Sequence, residues 1–507
     1  MIYVLDFGSQ YSHLITRRIR ELGVFAELVA ADFPLEKLKT AKGIILSGGP
    51  QNLSDSDALR VDKKMYELTI PILGICYGMQ LTAFELGGKV KAGKKREYGP
   101  TYIRIIKTTP LFKGLKATQK TWMSHGDQVT KLPKGFTATA TSSNCPITAM
   151  AHVEKRIYGL QFHPEVAHTK NGMKILDNFL RITGSEKNWK MADFITEQVS
   201  KIKAKVGRDK VVCALSGGVD SAVAASIVHK AVGKNLYCIY VDTGLMRAGE
   251  TEAIQKFFKG QKHINLTVVR AEKLFLQKLK GVTEPEQKRK IIGELFIRIF
   301  EKESKKLGNI KWLVQGTLYT DAVTSGVSSG GKHTAVIKSH HNVGGLPEKF
   351  GFKLIEPLRD LYKYEVRKVG EALKLPKEIV YRQPFPGPGL AVRVIGAVTP
   401  EKLDLVRGAE KIFQEEIVKS GLNRTIQQYF AVIPDIRSVG VQGDSRTYGY
   451  PIILRAITTT DFMTAHFAQI PYKILEIVSN RITNEVPGIN RVVYDITSKP
   501  PATVEWE

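Results

Sequence analysis

The chain has 507 residues, 43% hydrophobic and 24% charged, a balance that excludes an intrinsically disordered protein and leaves room for about three cores. Lys and Arg number 75 against 49 Asp and Glu, a net charge of +26. The basic residues are scattered, and no helix-turn-helix, RNP or zinc-finger pattern accompanies them, so the charge reads as a lysine-rich surface whose field favours anionic small substrates, with no nucleic acid expected.

Four cysteines (Cys76, Cys145, Cys213, Cys238) form no C-x-x-C pair and no zinc spacing, and no run reaches transmembrane length. With an apolar strand at the very start and no basic leader before it, the expected location is cytoplasmic, with no membrane association.

Over the first 185 residues, short apolar strands at 2–5, 43–46 and 70–75 alternate with helical spacing, as through Ile15 and Ile19, which predicts an α/β domain with a parallel sheet. Residues 71–80 read PILGICYGMQ and set Cys76 in a G-x-C-x-G turn between strand and helix, an elbow that exposes the side chain near a helix N-terminus, where a thiolate is stabilised. Residues 158–165, YGLQFHPE, end a strand on His163 and Glu165. Side chains two apart in an extended segment share a side, so these two supply a base and the group that orients it.

Residues 183–189 (TGSEKNW) are polar and turn-rich and mark a boundary, followed by an amphipathic entry helix over 190–205. Residues 211–223, VVCALSGGVDSAV, run a short buried strand into a tight turn and then a helix with Val219, Ala222, Val223 and Ile227 on one face. Such a helix start behind two glycines holds an anion through unpaired N–H groups. The chain has no G-x-x-x-x-G-K-[ST], so no lysine in the loop follows a γ-phosphate. A loop of Ser216, Gly217, Gly218, Val219, Asp220 and Ser221 suits a pyrophosphate that will leave.

Further strands are expected at 236–241, 265–269 and 312–315, with a core helix over 289–300. DTGLMR (242–247) and QGTLYTD (315–321) lie at the carboxyl ends of two of these strands, facing the same site. Residues 322–346 read as a long loop carrying cations, Lys338 among them, that would close on a triphosphate and exclude water. After QPFPGPGL (383–390) the pattern becomes strand, helix, two strands, helix, strand, with helices over 402–420 and 472–485 on one face of a small sheet. The expected fold is thus α/β: two parallel-sheet α/β domains, 1–185 and 190–382, plus a small C-terminal α+β domain, 383–507, suited to forming a homodimer.

SGGVDS is similar to the signature of the ATP pyrophosphatases. Cys76, His163 and Glu165, taken with Ser47, Gly48, Gly49 and Pro50 and with His125, Gly126 and Asp127, resemble class I glutamine amidotransferases along the whole first domain. With VQGDSRTY (441–448) and YDITSKPPATVEWE (494–507) added, the chain resembles the glutamine-hydrolysing GMP synthetase family from end to end.

That resemblance implies hydrolysis of L-glutamine to ammonia, adenylation of xanthosine monophosphate (XMP) by ATP with Mg2+, and amination to GMP. It implies that Cys76 attacks the carboxamide, His163 carries the proton, Glu165 holds the imidazole, and Gly49, Tyr77 and Gln80 border the glutamine. Ser216 to Ser221, Gly316, Asp321 and Lys338 would hold ATP, Asp321 also holding the metal. Arg247, Pro386, Gly387, Gln442, Lys499 and Glu505 would contact XMP. One departure stands out: where the family runs G-T-I-Y-P-D-V-I-E-S after Gln315, this chain has Thr320 for the proline and Thr324 for the glutamate. Two other readings are a different glutamine-dependent adenylating amide ligase and a nucleotide-binding regulator with an inactive synthetase site.

Overall fold

The computed structural model describes every residue except 261–263, 309, 325–351, 460, 461 and 463, so Lys338 lies outside the described residues. Met1–Phe194 form one compact unit, and the described residues from Ile195 to Glu507 form a second.

The first unit is built on a nine-stranded sheet. Five strands run parallel in the spatial order Ala26–Ala30, Ile2–Asp6, Gly43–Leu46, Ile72–Ile75, Ile157–Leu160. Their short apolar runs are buried on both faces: Ile2 and Val4 join one core cluster while Tyr3 and Leu5 join the other, as the period of two requires. Beyond them the sheet continues antiparallel through Ala149–His152, Thr137–Thr141, Lys89–Ile105 and Thr118–Lys131. The parallel-sheet expectation did not include this extension, whose long strands alternate buried and open positions (Gln119, Thr121, Met123 and His125 inward) in place of a continuous apolar run. The turn-rich TGSEKNW segment is tied to the same unit, since the Trp189 N–H donates to the Gly23 carbonyl at 2.9 Å and its ring packs 4.8 Å from Phe25.

The second unit contains a five-stranded, wholly parallel sheet ordered Asn265–Arg270, Leu236–Asp242, Val211–Leu215, Trp312–Val314, Lys353–Ile355. The helix Val219–Val232 departs from the expected one-sided pattern: Ser221 to Val228 are buried without interruption, because the sheet covers one side and the helix Lys363–Ala372 the other. The core helix is longer than its apolar spacing indicated, Pro285–Lys306, started by Pro285 in its first turn and by the Glu284 carboxylate, which accepts the Gln287 N–H at 2.8 Å.

After the Pro/Gly segment, Gly389–Arg393 is a 3-10 turn where a strand was expected, and Val394 makes only an isolated bridge to Ile433. A second five-stranded sheet then centres on the long strand Ser445–Thr458, against which the helices Pro400–Lys419 and Tyr472–Glu485 pack. One hydrophobic cluster runs from Val212 in the parallel sheet to Ile489 in this second sheet.

Candidate functional site

At the end of strand Ile72–Ile75 the chain turns sharply into the helix Tyr77–Glu85, and Cys76 at the corner has φ +53°. Only glycine fits on either side. A side-chain carbon at Gly74 would come within 2.5 Å of the Gly78 carbonyl, and one at Gly78 within 2.4 Å of the Leu46 carbonyl. The G-x-C-x-G spacing is therefore a packing requirement, and it places the sulfur at the carboxyl edge of the parallel strands. The Gly78 N–H donates to the Ser47 carbonyl at 3.0 Å, which fixes the helix to the neighbouring loop.

His163 and Glu165 follow the strand Ile157–Leu160 and are 3% and 1% exposed. His163 Nδ1 lies 2.7 Å from Glu165 Oε1, and Tyr11 sits edge-on to the imidazole at 5.1 Å. Burial disfavours a charged imidazole here, but the Glu165 carboxylate and a hydrogen bond with Cys76 outweigh it and push the His163 pKa up to about 10. Both influences favour the charged form of the ring.

Gly49 faces the elbow closely, since a carbon added to it would come within 2.7 Å of the Phe7 carbonyl and 3.4 Å of the Tyr77 ring. Tyr77 is buried with its hydroxyl donating to the Leu59 carbonyl at 2.7 Å. Gln80 is a wall residue, its amide donating to the Asp127 carbonyl at 2.8 Å and to Gln161 at 3.3 Å.

Sequence reasoning did not single out Gln161, whose amide reaches the Cys76 sulfur at 3.7 Å, or Ser124, whose carbonyl lies 3.5 Å from it. It quoted His125 only as part of a motif. His125 Nε2 meets the buried Glu97 carboxylate at 3.1 Å while Nδ1 faces the Asp127 carbonyl at 3.0 Å. Burial lowers the His125 pKa, and Glu97 opposes that shift.

In the second unit, SGGVDS forms the expected turn. Gly217 has φ +77°, Ser216 Oγ accepts the Gly218 N–H at 3.3 Å, and Ser221 Oγ lies 3.1 Å from Ser216 Oγ. The helix begins at Val219, whose side chain is buried. Gly316 closes against this turn, for a carbon added there would sit 3.3 Å from Asp220 Cβ and 3.4 Å from the Ser221 nitrogen. Asp321 accepts the Leu318 N–H at 3.1 Å in the next turn. The structure thus brings QGTLYTD and SGGVDS together.

Two cations absent from the sequence reading converge on the loop. Lys363 Nζ pairs with Asp220 Oδ2 at 2.6 Å, and the Arg382 guanidinium donates to the Gly217 carbonyl. Asp220 Oδ1 is buried and has no hydrogen-bond partner among the described residues.

The residues expected to meet XMP are placed as follows. Arg247 pairs with Glu410 at 2.6 Å and lies 4.3 Å from the centre of the Phe385 ring. Pro386 and Gly387 form the next turn, Gly387 exposed and the Pro386 carbonyl accepting from Gly389 at 2.9 Å. Gln442 ends the strand Ser438–Gln442 opposite Ser445. Lys499 donates to the Phe462 carbonyl at 2.7 Å. Glu505 engages both carboxylate oxygens with Arg393, at 3.0 and 3.1 Å, and takes a further bond from Gln428 at 2.8 Å.

Comparison with known proteins matches the chain in three stretches: residues 3–183 to the family "Glutamine amidotransferase class-I", 188–280 to "NAD synthase", and 415–506 to "GMP synthase C terminal domain". The glutamine-hydrolysing GMP synthases of Caldicellulosiruptor saccharolyticus and Acetivibrio thermocellus are each 57% identical to it over 511 residues, covering 100% of this chain and 99% of theirs. That of Clostridium botulinum is 56% identical over 510 residues with the same coverage. At that identity over the full length, with the three family stretches in the same order, the chain belongs to the glutamine-hydrolysing GMP synthase family.

Proposed function

We propose that the chain divides GMP synthesis between the two centres described, with Cys76, His163 and Glu165 serving glutamine and the SGGVDS turn serving ATP. The buried Glu165–His163 pair, beside a strained elbow that carries Cys76, supports the first half most strongly. The Cys76 sulfur attacks the carboxamide carbon of L-glutamine. His163 gives its proton to the departing nitrogen, so ammonia leaves and a thioester forms. Water activated by the now neutral imidazole then releases glutamate. Gly49 and Tyr77 contribute backbone N–H groups to the oxyanion, about 3 kcal/mol per donor in comparable sites.

In the second half, the C2 oxygen of XMP attacks the α-phosphorus of ATP, pyrophosphate leaves, and ammonia displaces AMP to give GMP. Ser216 to Ser221 receive the pyrophosphate at a helix N-terminus. The partnerless Asp220 Oδ1, with Asp321 further along the segment whose Gly316 packs on this turn, would suit Mg2+, a hard cation that takes carboxylate oxygens and would neutralise charge on the phosphates. Arg247, Pro386, Gly387, Gln442, Lys499 and Glu505 border the XMP end. Ammonia that equilibrates with neutral water is mostly ammonium and no nucleophile, so the two half-reactions require guarded transfer.

The cytoplasm suits all three substrates, and no helix among the described residues is long and apolar enough to cross a membrane. The homodimer is assigned to the C-terminal sheet, where Tyr472 is 90% exposed beside a groove of about 690 Å³ lined by Leu475, Val492 and Val493. One assay tests the reading: release of AMP, pyrophosphate and GMP from ATP, XMP and glutamine in stoichiometric amounts. Product from a carboxylate acceptor in place of XMP, or glutaminase activity alone, would refute it.

A further inference from the structure

Arg382, directly before the QPFPGPGL segment, binds the Gly217 carbonyl through Nη1 and Glu250 through Nη2. Glu250 in turn faces Arg247, with one carboxylate oxygen 3.6 Å from its guanidinium and the other accepting its backbone N–H at 3.3 Å. Arg247 Nε donates to Glu410 at 2.6 Å, Arg393 Nη1 donates to both oxygens of Glu410 at 2.8 and 2.9 Å, and Arg393 also holds Glu505. Three guanidiniums and three carboxylates alternate without a break from the phosphate turn to the C-terminal tail, with side-chain exposures between 0% and 17%.

The Phe385 ring lies within 4.3 Å of Arg247, 5.1 Å of Arg393 and 5.9 Å of Arg382, so the aromatic residue of QPFPGPGL is a common platform for all three cations.

Each inner member of the chain is shared by two neighbours. Glu410 neutralises both Arg247 and Arg393, and Glu250 both Arg247 and Arg382. An arginine that turns toward a nucleotide phosphate therefore leaves a buried carboxylate short of charge, and that carboxylate must be paired again from its other side. The Gly217 carbonyl at one end belongs to the turn assigned to pyrophosphate, and Arg247 and Glu505 belong to the set assigned to XMP. On the division of sites given above, we infer that Glu250 and Glu410 are positioning residues that couple occupancy of the XMP end to the conformation of the phosphate turn. Neither touches a reacting atom. They act through Arg382 and Arg247, so that the turn is fully formed for ATP only when the acceptor is present. Linkage makes the effect reciprocal, each ligand strengthening the other by one common factor.

Calorimetric titration of the full-length protein tests this, with XMP added in the presence and absence of an ATP analogue that cannot be cleaved between the α and β phosphates. In the native chain the analogue should tighten XMP about tenfold, and XMP should tighten the analogue equally. In Glu250→Gln, which keeps the side-chain shape, the factor should fall to about one while each ligand alone binds within about threefold of native. Glu250→Gln combined with Glu410→Gln should match the single variant, because a serial chain broken once loses nothing more when broken again. If Glu410→Gln does not fold, the Glu250→Gln titration stands alone. A native factor of one, or an unchanged factor in Glu250→Gln, overturns the inference. Failure of the two ligands to bind the native chain even when both are present would instead refute the assignment of the two ends.

Discussion

The glutamine centre and the phosphate turn hold their reactive groups in opposite ways. In the first unit the working groups are assembled by folding, Glu165 bonded to His163 at 2.7 Å and the Cys76 sulfur held at the elbow with the Gln161 amide 3.7 Å away, so the set is in place before substrate arrives. In the second unit the charged groups are bonded to partners that, on the proposed assignment, a substrate would have to displace: Asp220 to Lys363, Arg247 to Glu410, Glu505 to Arg393. A nucleophile that belongs to the protein can be finished by folding alone. A site whose nucleophile, electrophile and leaving group are all ligands must keep its charges neutralised until they bind, because an unpaired buried charge is costly.

The largest expected break in this comparison comes from removing residues 499–507. Arg393 and Lys288, both fully buried, would lose the carboxylates of Glu505 and Glu507, and Arg455 would lose the Thr503 and Val504 carbonyls. Leaving such a partner behind costs about 3–5 kcal/mol for each buried pair. XMP binding and the thermal transition of the second unit should both be lost. Glutamine hydrolysis by the first unit, which has its own cores, should persist. Calorimetry showing unchanged XMP affinity in the truncated chain would contradict this.

A smaller effect is expected from Asp220→Ala, which removes the carboxylate facing the phosphate turn. AMP release should fall by about 10²–10³-fold while glutaminase activity changes by less than about twofold. Equal loss in both assays would mean that the variant had disturbed the fold.

The first unit can be probed by pH. The His163 pKa is raised in the folded chain to about 10, so its ion pair contributes stability that is fully present below the unfolded value of about 6.5. That contribution is lost as pH rises from there through about 10. The melting temperature of the first unit should fall by roughly 5 °C across this window, and Glu165→Gln should flatten the slope. An identical slope in the variant would show that the pair is not the source.

The mildest expectation concerns Thr324, where the family pattern implied by the sequence resemblance has glutamate. Thr324→Glu should lower the magnesium concentration for half-maximal AMP release by about two- to threefold, since it adds a second carboxylate close after Asp321. An unchanged requirement would mean that the threonine is simply tolerated.

The parts legible in the sequence are those whose chemistry is local. The elbow shows because Gly74 and Gly78 must be glycine for the turn to close, and the His163–Glu165 pair shows because two residues apart on an extended segment is a contact. SGGVDS shows for the same reason. What stayed hidden depends on burial and on distance along the chain. Glu250, Glu410 and Arg393 look like ordinary surface charges, and nothing nearby indicates that Arg393 is completely buried against a carboxylate 112 residues away. Lys363 reaches Asp220 across 143 residues. The helix Val219–Val232 looked one-sided because its second cover, Lys363–Ala372, comes more than a hundred residues later.

The separation of the two halves is tested most directly by Cys76→Ala, assayed for GMP formation with glutamine and, side by side, with ammonium salt at a pH that supplies free ammonia. On the proposed division the sulfur serves only the release of nitrogen from glutamine, so glutamine-dependent synthesis should vanish while ammonia-dependent synthesis stays within about twofold of native. Loss of both activities in a folded variant would contradict the assignment of Cys76 to the glutamine half alone.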